Sequence, residues 1–431
     1  MIASVHHPKP YQSFPPPVQA YRAKRAVATP WRIAGRPNGP FRGAVVIPSL
    51  AESHNLPLTL HSLAANPPDL LARFMILVVV NQRDDASTEE RADNRATLEL
   101  LQAWQQDYGL EHLHWVDAAS TGTELPPKQG VGLARKIGLD LALGHLEYST
   151  GDPLLVCLDA DTIVQPDYLA AIGRHFGTTG GGGASIPFRH RRALDSLGQA
   201  AIDRYELFLR AYVLGLEQAR SPYAFHTVGS AMACRASAYV AGGGMNRRLA
   251  GEDFYFLQQV HKTSGVAPLS GTCVHPSPRA SRRVPFGTGR SVGDMLAAGE
   301  GRLLFYQPRL FSVLGEWLAC VAAHPEADGA ELLRRAGCIS PHLGEFLEQT
   351  GFGAAWANLL RHNSGKERLL TAFHGWFDAF RTMRLLHHLS DRAFPRLPPE
   401  QGVGPLLERA GHAVPADVSG MLEQLRYLQG V

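Results

Sequence analysis

Cysteine is scarce and scattered in this chain of 431 residues: the five are Cys157, Cys234, Cys273, Cys320 and Cys338, and none belongs to a CxxC pair. That spacing argues against a metal or redox role, and the mostly apolar surroundings predict reduced core residues. Long apolar runs are also missing. No stretch reaches the ~18 uninterrupted apolar residues of a membrane span, and the N-terminal MIASVHHPKPYQSFPPPVQAYRAKR has no apolar signal-peptide core. The default location is therefore the cytoplasm. Nor is there a charge excess: 42 Lys and Arg against 39 Asp and Glu give a net charge of +3, too small to imply a nucleic-acid partner. Internal repeats are absent, and no flexible linker is long enough to separate two independent domains. What partner the protein has must be argued from sites.

What is present is an alternation. The first forty or so residues are rich in Pro and His without apolar period and predict an extended arm over 1–42. From Gly43 the pattern changes: GAVVIPSL, RFMILVVVN, HLHWVD and LLVCLDA read as strands, separated by helical stretches such as STEERADNRATLELLQAWQQDYG and GVGLARKIGLDLALGHL. Strands alternating with helices predict an α/β fold with a doubly wound, mostly parallel sheet over 43–290. Ligands of such sheets bind beyond the strand C-termini. A long helix is expected near DSLGQAAIDRYELFLRAYVLGLEQAR, and the sheet is expected to resume at SAMACRASAYV and LSGTCVHP. Beyond about Ser291 strand signals fade and leucine-rich segments predict a helical C-terminal extension over 291–431.

The fourth strand stops at paired charge, in LLVCLDADTIVQPDYL. Side chains two apart on extended chain share a side, so the carboxylates of Asp159 and Asp161 can converge on one point. Such a pair repels unless something positive lies between, and Mg²⁺ or Mn²⁺ prefers these oxygen ligands. On the residues alone a polar turn is an equal reading, with Asp167 after Pro166 capping the next helix.

Four stretches in order, VVIPSLAES, VVVNQRDDAS, LLVCLDADTIVQPDYL and LAGEDFYFLQQVHK, resemble the family 2 glycosyltransferases, inverting enzymes of the GT-A fold that use nucleotide-diphosphate sugars. The resemblance covers residues 43–276 and implies roles for particular residues. Pro48 and Glu52 would lie near the nucleotide base, although Glu52 could instead cap the following helix. Asn81 stands where the family usually has the first of two acids, and the acids Asp84 and Asp85 come three residues later, so the identity of the base stays open. Arg135 matches a basic helix beside the nucleotide as diphosphate or base neighbour; Lys136 is expected to be a solvated helix charge, and Lys128 has the same ambiguity. Asp159 and Asp161 match the metal motif, with Asp161 holding a cation that bridges the donor phosphates. Asp253 matches the catalytic base and Glu252 the preceding acid; the alternative is an acidic pair complementing a helix dipole.

Farther on, HPSPRASRRVPFGTGR reads as a basic loop. Arg279, Arg282 and Arg283 are its best phosphate ligands, because guanidinium groups fork onto phosphate oxygens. His275 is a candidate third metal ligand, or a histidine hydrogen-bonded at a strand end. The implied partners are a nucleotide-diphosphate sugar donor and an acceptor that is a small molecule, a peptide or a lipid head group met by peripheral membrane contact. Two rivals remain. LDADTIV also fits the nucleophile motif of haloacid-dehalogenase-like phosphatases, with Asp159 attacking phosphorus, but three strand–helix units precede it here. The other is a non-catalytic interaction protein of the same fold, working through the helical C-terminus at ERLLTAFHGWFDAFRTMRLLHHL.

Overall fold

The computed structural model describes residues 14–27, 29–281, 287–299 and 303–431. The strands are β1 (Gly43–Ser49), β2 (Phe74–Asn81), β3 (Leu113–Ala118), β4 (Leu154–Cys157), β5 (Ile163–Val164), β6 (Gly183–Ser185), β7 (Met232–Arg235), β8 (Val266–Pro268) and β9 (Val274–His275). Seven of them form one sheet in the order β3-β2-β1-β4-β7-β6-β8, while β5 and β9 pair apart from it. The β3-β2-β1-β4 half is parallel, β7 runs antiparallel to both its neighbours, and β8 is parallel to β6.

Helices cover both faces. In chain order they are α1 (Pro16–Lys24), α2 (Leu56–Ala64), α3 (Pro68–Leu71), α4 (Thr88–Asp107), α5 (Val131–Ala142) and α6 (Tyr168–Thr178), followed by α7 (Ser196–Gln218), α8 (Ala236–Ala241), α9 (Glu252–Ser264) and α10 (Thr288–Ala298). This explains the unbroken apolar runs: every residue of β1 and β2 is buried. Successive residues split between two cores, Ala44 and Val46 packing with Leu133 and Ile137 of α5 on one face. Val45 and Ile47 pack with Leu60 of α2 and Ile172 of α6 on the other. Gly138 lets α5 sit tightly on β1, since a Cβ there would meet Val46 Cγ1 at 2.3 Å.

The rest of the chain is helical: α11 (Pro308–Ala323), α12 (Gly329–Ile339), α13 (Pro341–Gln349), α14 (Phe352–His362), α15 (Lys366–Trp376), α16 (Ala379–Arg392), α17 (Pro399–Arg409) and α18 (Val418–Leu428). Their core, built around Trp317, Trp356 and Phe373, also takes Leu207 and Leu214 from α7. A buried ionic knot fastens it. Glu206 of α7, fully buried, accepts from the His190 backbone N–H at 2.9 Å, His190 Nδ1 at 2.8 Å, Arg210 Nε at 2.9 Å and Arg426 Nε of α18 at 2.7 Å.

Several expectations need correction. Residues 16–24 of the expected extended arm form α1, anchored by buried Val18 and Tyr21; two anchors three apart are too few to show as a period in a Pro-rich stretch. Lys136 is buried rather than solvated, pairing with Asp140 at 2.9 Å and donating to Tyr21 Oη at 2.7 Å. SAMACRASAYV is strand only to Arg235 and then turns into α8, and LSGTCVHP contributes just β9, outside the main sheet. All five cysteines are free, but Cys338 is exposed and Cys320 half-buried. Among the described residues no helix is long and apolar enough to cross a membrane.

Candidate active site

A cavity of about 1130 Å³ opens at the C-terminal ends of β1, β2 and β4 and extends to the helices α7 and α16. The strand ends carry its charge. After β1 the chain turns through Ala51 at φ 52, a left-handed conformation. The Ala51 N–H donates to Asn94 Oδ1 of α4 at 2.8 Å, and Ser53 is held by Asp93. This pinned turn presents Glu52 to the cavity beside Pro48. Glu52 does not cap α2, whose N-cap is Asn55; its carboxylate accepts from Arg279. At the end of β2, Asn81 is buried against the cavity, and its Oδ1 has no hydrogen-bond partner among the described residues.

The segment after β4 is both a turn and a charged site. The Thr162 N–H donates to the Asp159 carbonyl at 3.1 Å, closing the turn, and Thr59 Oγ1 of α2 donates to the Ala160 carbonyl at 2.9 Å, fixing it. Asp167 stands at the N-cap of α6 but its side chain makes no capping bond. Both Asp159 and Asp161 face the cavity. Arg279 Nε donates to Asp161 Oδ2 at 3.1 Å, and Arg191 Nη2 donates to the Asp161 carbonyl at 3.1 Å. Burial pushes the Asp161 carboxyl up to about 6; the charges of Glu52 and Asp159 add to this, and Arg279 and Arg191 oppose it.

Arg135 joins this cluster to the next. Buried in α5, it donates to Asp159 and to Glu252 at the start of α9. Gly229 makes room for it, because a Cβ there would come within 2.5 Å of Arg135 Nη2. Asp253 follows in the first turn of α9, behind Gly251 at φ 69, and lines the cavity. Burial raises the Asp253 carboxyl above its ordinary range, while Arg135 and the Phe254 N–H, 2.7 Å from Oδ1, pull the other way.

Nine of the predicted site residues thus meet in one cavity: Pro48, Glu52, Asn81, Arg135, Asp159, Asp161, Glu252, Asp253 and Arg279. Lys128 is exposed, at φ 64, and does not line it. Arg282 and Arg283 lie outside the described residues. His275 does not line the cavity, and its Nδ1 lies 3.1 Å from the Arg189 carbonyl. Among the described residues the one group of three side chains with metal-ligand reach is His342, Glu345 and His388, on α13 and α16. Asp159 and Asp161 nonetheless suit a hard divalent cation, since carboxylate oxygens are its preferred donors and Glu52 adds to the local negative charge. Sequence reasoning missed Arg191, and it missed the far wall of the cavity, where Tyr205, Phe208 and Tyr212 line one face of α7. Their spacing of three and four was visible, but it is also the spacing of ordinary core residues.

No protein-family model matches the chain, and no curated protein matches it by sequence. Solved structures do align with parts of it. S. aureus TarS 1-349 in complex with UDP-GlcNAc aligns at 12% identity and TM-score 0.39 over 72% of this chain and 90% of that one. The mannosyltransferase PcManGT from Pyrobaculum calidifontis, in complex with GDP-Man and Mn²⁺, aligns at 19% identity and TM-score 0.39 over 84% and 95%. Glucosyl-3-phosphoglycerate synthase from M. tuberculosis aligns at 16% identity and TM-score 0.34 over 66% and 84%. In another TarS 1-349 structure the alignment spans 60% of that chain, and in a longer TarS chain 52%. At such identities and TM-scores these alignments carry no argument about this chain.

Proposed function

We propose that the protein is a metal-dependent, inverting glycosyltransferase of family 2 type, moving a sugar from a nucleotide-diphosphate donor to an acceptor hydroxyl. One observation carries this reading: Asp159 and Asp161 at a strand end and Asp253 at a helix start face one cavity, where the Arg135 guanidinium ties Asp159 to Glu252, the residue before Asp253. Asn81 Oδ1, buried and unpartnered among the described residues, suits a hydrogen-bond donor on a nucleotide base. Arg279 sits where a diphosphate would replace its present carboxylate partners.

Asp161 and Asp159 would hold Mg²⁺ or Mn²⁺, which when bound stabilises the charge growing on the leaving diphosphate. Asp253 takes the proton of the acceptor hydroxyl. As that O–H bond breaks, the oxygen forms a bond to the anomeric carbon, the bond from that carbon to the phosphate oxygen breaks, and the nucleoside diphosphate leaves from the opposite face. A carboxyl raised by burial is a stronger base once ionised, which suits this role. Glu252, engaged by Arg135, positions the start of α9. The phosphatase alternative is weaker, because the described residues lining the cavity include no lysine to accompany the nucleophilic aspartate.

The test is a thermal-shift titration with UDP and GDP, each with and without Mn²⁺. A ligand that binds only the folded state stabilises it by about 2.7 kcal/mol at a hundred times its Kd. A metal-dependent rise with either nucleotide is expected, and no shift with any nucleotide would refute the donor site.

A further inference from the structure

The cavity is larger than the charged site needs. Its volume of about 1130 Å³ exceeds the roughly 300–1,000 Å³ of a single ligand pocket. The space beyond Asp253 is walled by helices. From α7 come Tyr205, Phe208, Leu209, Tyr212, Val213 and Leu216. Tyr223 and Phe225 close a second side, and Ala379, Thr382 and Met383 of α16 a third. None of the side chains presented by α7, residues 223–228 or α16 is a Lys, Arg, Asp or Glu.

Several polar atoms of this half are engaged elsewhere. The Tyr223 hydroxyl donates to the His374 carbonyl at 2.7 Å, and His226 Nε2 lies 3.0 Å from Gln429 Oε1. Burial pushes the His226 imidazole down to about 4, so it is neutral at pH 7. Gln258, at the rim, spends its Oε1 on the Phe380 N–H at 2.8 Å. A phosphate or carboxylate entering here would meet no Lys or Arg side chain among the described residues of these three walls, whereas an uncharged apolar group matches their aromatic and aliphatic side chains.

We propose that this helix-walled half is the subsite for the non-reacting part of the acceptor, and that this part is an uncharged apolar group, alkyl or aryl, attached near the hydroxyl that reaches Asp253. The acceptor role rests on the glycosyl-transfer reading above; the apolar preference rests on the wall itself.

The test uses the full chain and the uncharged fluorophore N-phenyl-1-naphthylamine. Saturable binding is expected, displaced by n-octyl β-D-glucoside or phenyl β-D-glucoside and not by glucose 6-phosphate. Stronger displacement by the octyl compound assigns an alkyl acceptor, and stronger displacement by the phenyl compound an aryl one. Met383→Glu, a substitution at a half-buried lining residue of α16, is expected to weaken the fluorophore at least tenfold. Mn²⁺-dependent UDP or GDP binding should stay within twofold in that variant. The competition arms need no variant, so a misfolded substitution leaves the test intact. Absence of saturable binding, displacement by glucose 6-phosphate as effective as by the glucosides, or unchanged binding in folded Met383→Glu would overturn the inference. Fluorophore binding without any nucleotide binding would sink the donor reading and leave the apolar site standing; nucleotide binding without fluorophore binding would do the reverse.

Discussion

Replacing Arg135 by Met should be among the most damaging single changes available near the site. The Arg135 side chain is 3% exposed, and its two carboxylate partners differ: Glu252 is 4% exposed at the side chain and Asp159 36%. Met roughly keeps the volume and removes the charge, leaving Glu252 buried without its cation. Breaking a buried pair from one side costs about 3–5 kcal/mol, mostly the penalty of stranding the other charge. Asp159 adds little, because water screens a group so exposed. If stranded charge is the cause, Arg135→Met/Glu252→Gln should recover most of the loss, since a neutral amide is far cheaper to bury. Arg135→Lys should not substitute, because a single ammonium lacks the fork that reaches both carboxylates. Urea denaturation followed by tryptophan fluorescence measures all three variants. A loss under about 1 kcal/mol in Arg135→Met, or a double variant as unstable as the single one, would refute the argument.

Three further outcomes are expected. Asp161→Asn should abolish the Mn²⁺ dependence of nucleoside-diphosphate binding with the melting temperature nearly unchanged, and calorimetric titration showing wild-type metal-dependent affinity would move the cation elsewhere. Asp253→Asn should bind donor normally but lose transfer by roughly 10²–10⁴-fold, the scale of a positioned general base, and near-normal turnover would exclude it from that role. Burial alone would raise the Glu206 carboxyl, but hydrogen bonds from His190 and Arg426 and the charge of Arg210 hold it well below the usual carboxylate range. Its folded value thus lies below its unfolded one, so the stability it contributes is complete above pH ~4.5 and drains away as pH falls below that. Glu206→Gln should lower stability at pH 7 and flatten the acid limb of a denaturation series; an acid limb of unchanged slope would assign the pH dependence to other groups.

Much of the sheet was readable in the chain because burial on both faces forces long apolar runs, and β1 and β2 have them without interruption. Asp159 and Asp161 were readable for the complementary reason that charge at the end of such a run stands out. What stayed hidden depends on partners remote in sequence. Arg279 and Glu52 meet across 227 positions and Arg135 and Glu252 across 117, so no local pattern could turn these presumed ligand contacts into ion pairs. Lys136 looked solvated because the residues that bury it include Tyr21, 115 positions away, on a helix with too few apolar residues to announce itself. The short strand β8 lacks the length at which alternation becomes visible.

The cavity divides by the kind of element that builds it. A strand C-terminus stops abruptly, so a turn there can expose several charged groups at a point, as the turn fixed by Thr59 and Thr162 does for Asp159 and Asp161. A long helix instead offers a continuous stripe, and α7 uses two. Leu207 and Leu214 face the core of the C-terminal helices, while Phe208 and Tyr212 border both that core and the cavity. Between them Glu206 and Arg210 pin α7 to α18 through Arg426. The same helix is therefore the wall of the apolar half and the seat of the C-terminal bundle. Packing in that bundle sets the shape of the apolar half, whereas the charged half is held by hydrogen bonds from α2, α4 and α5 that do not involve it. The two halves can thus vary separately, one with changes in helix packing and the other with changes at strand ends.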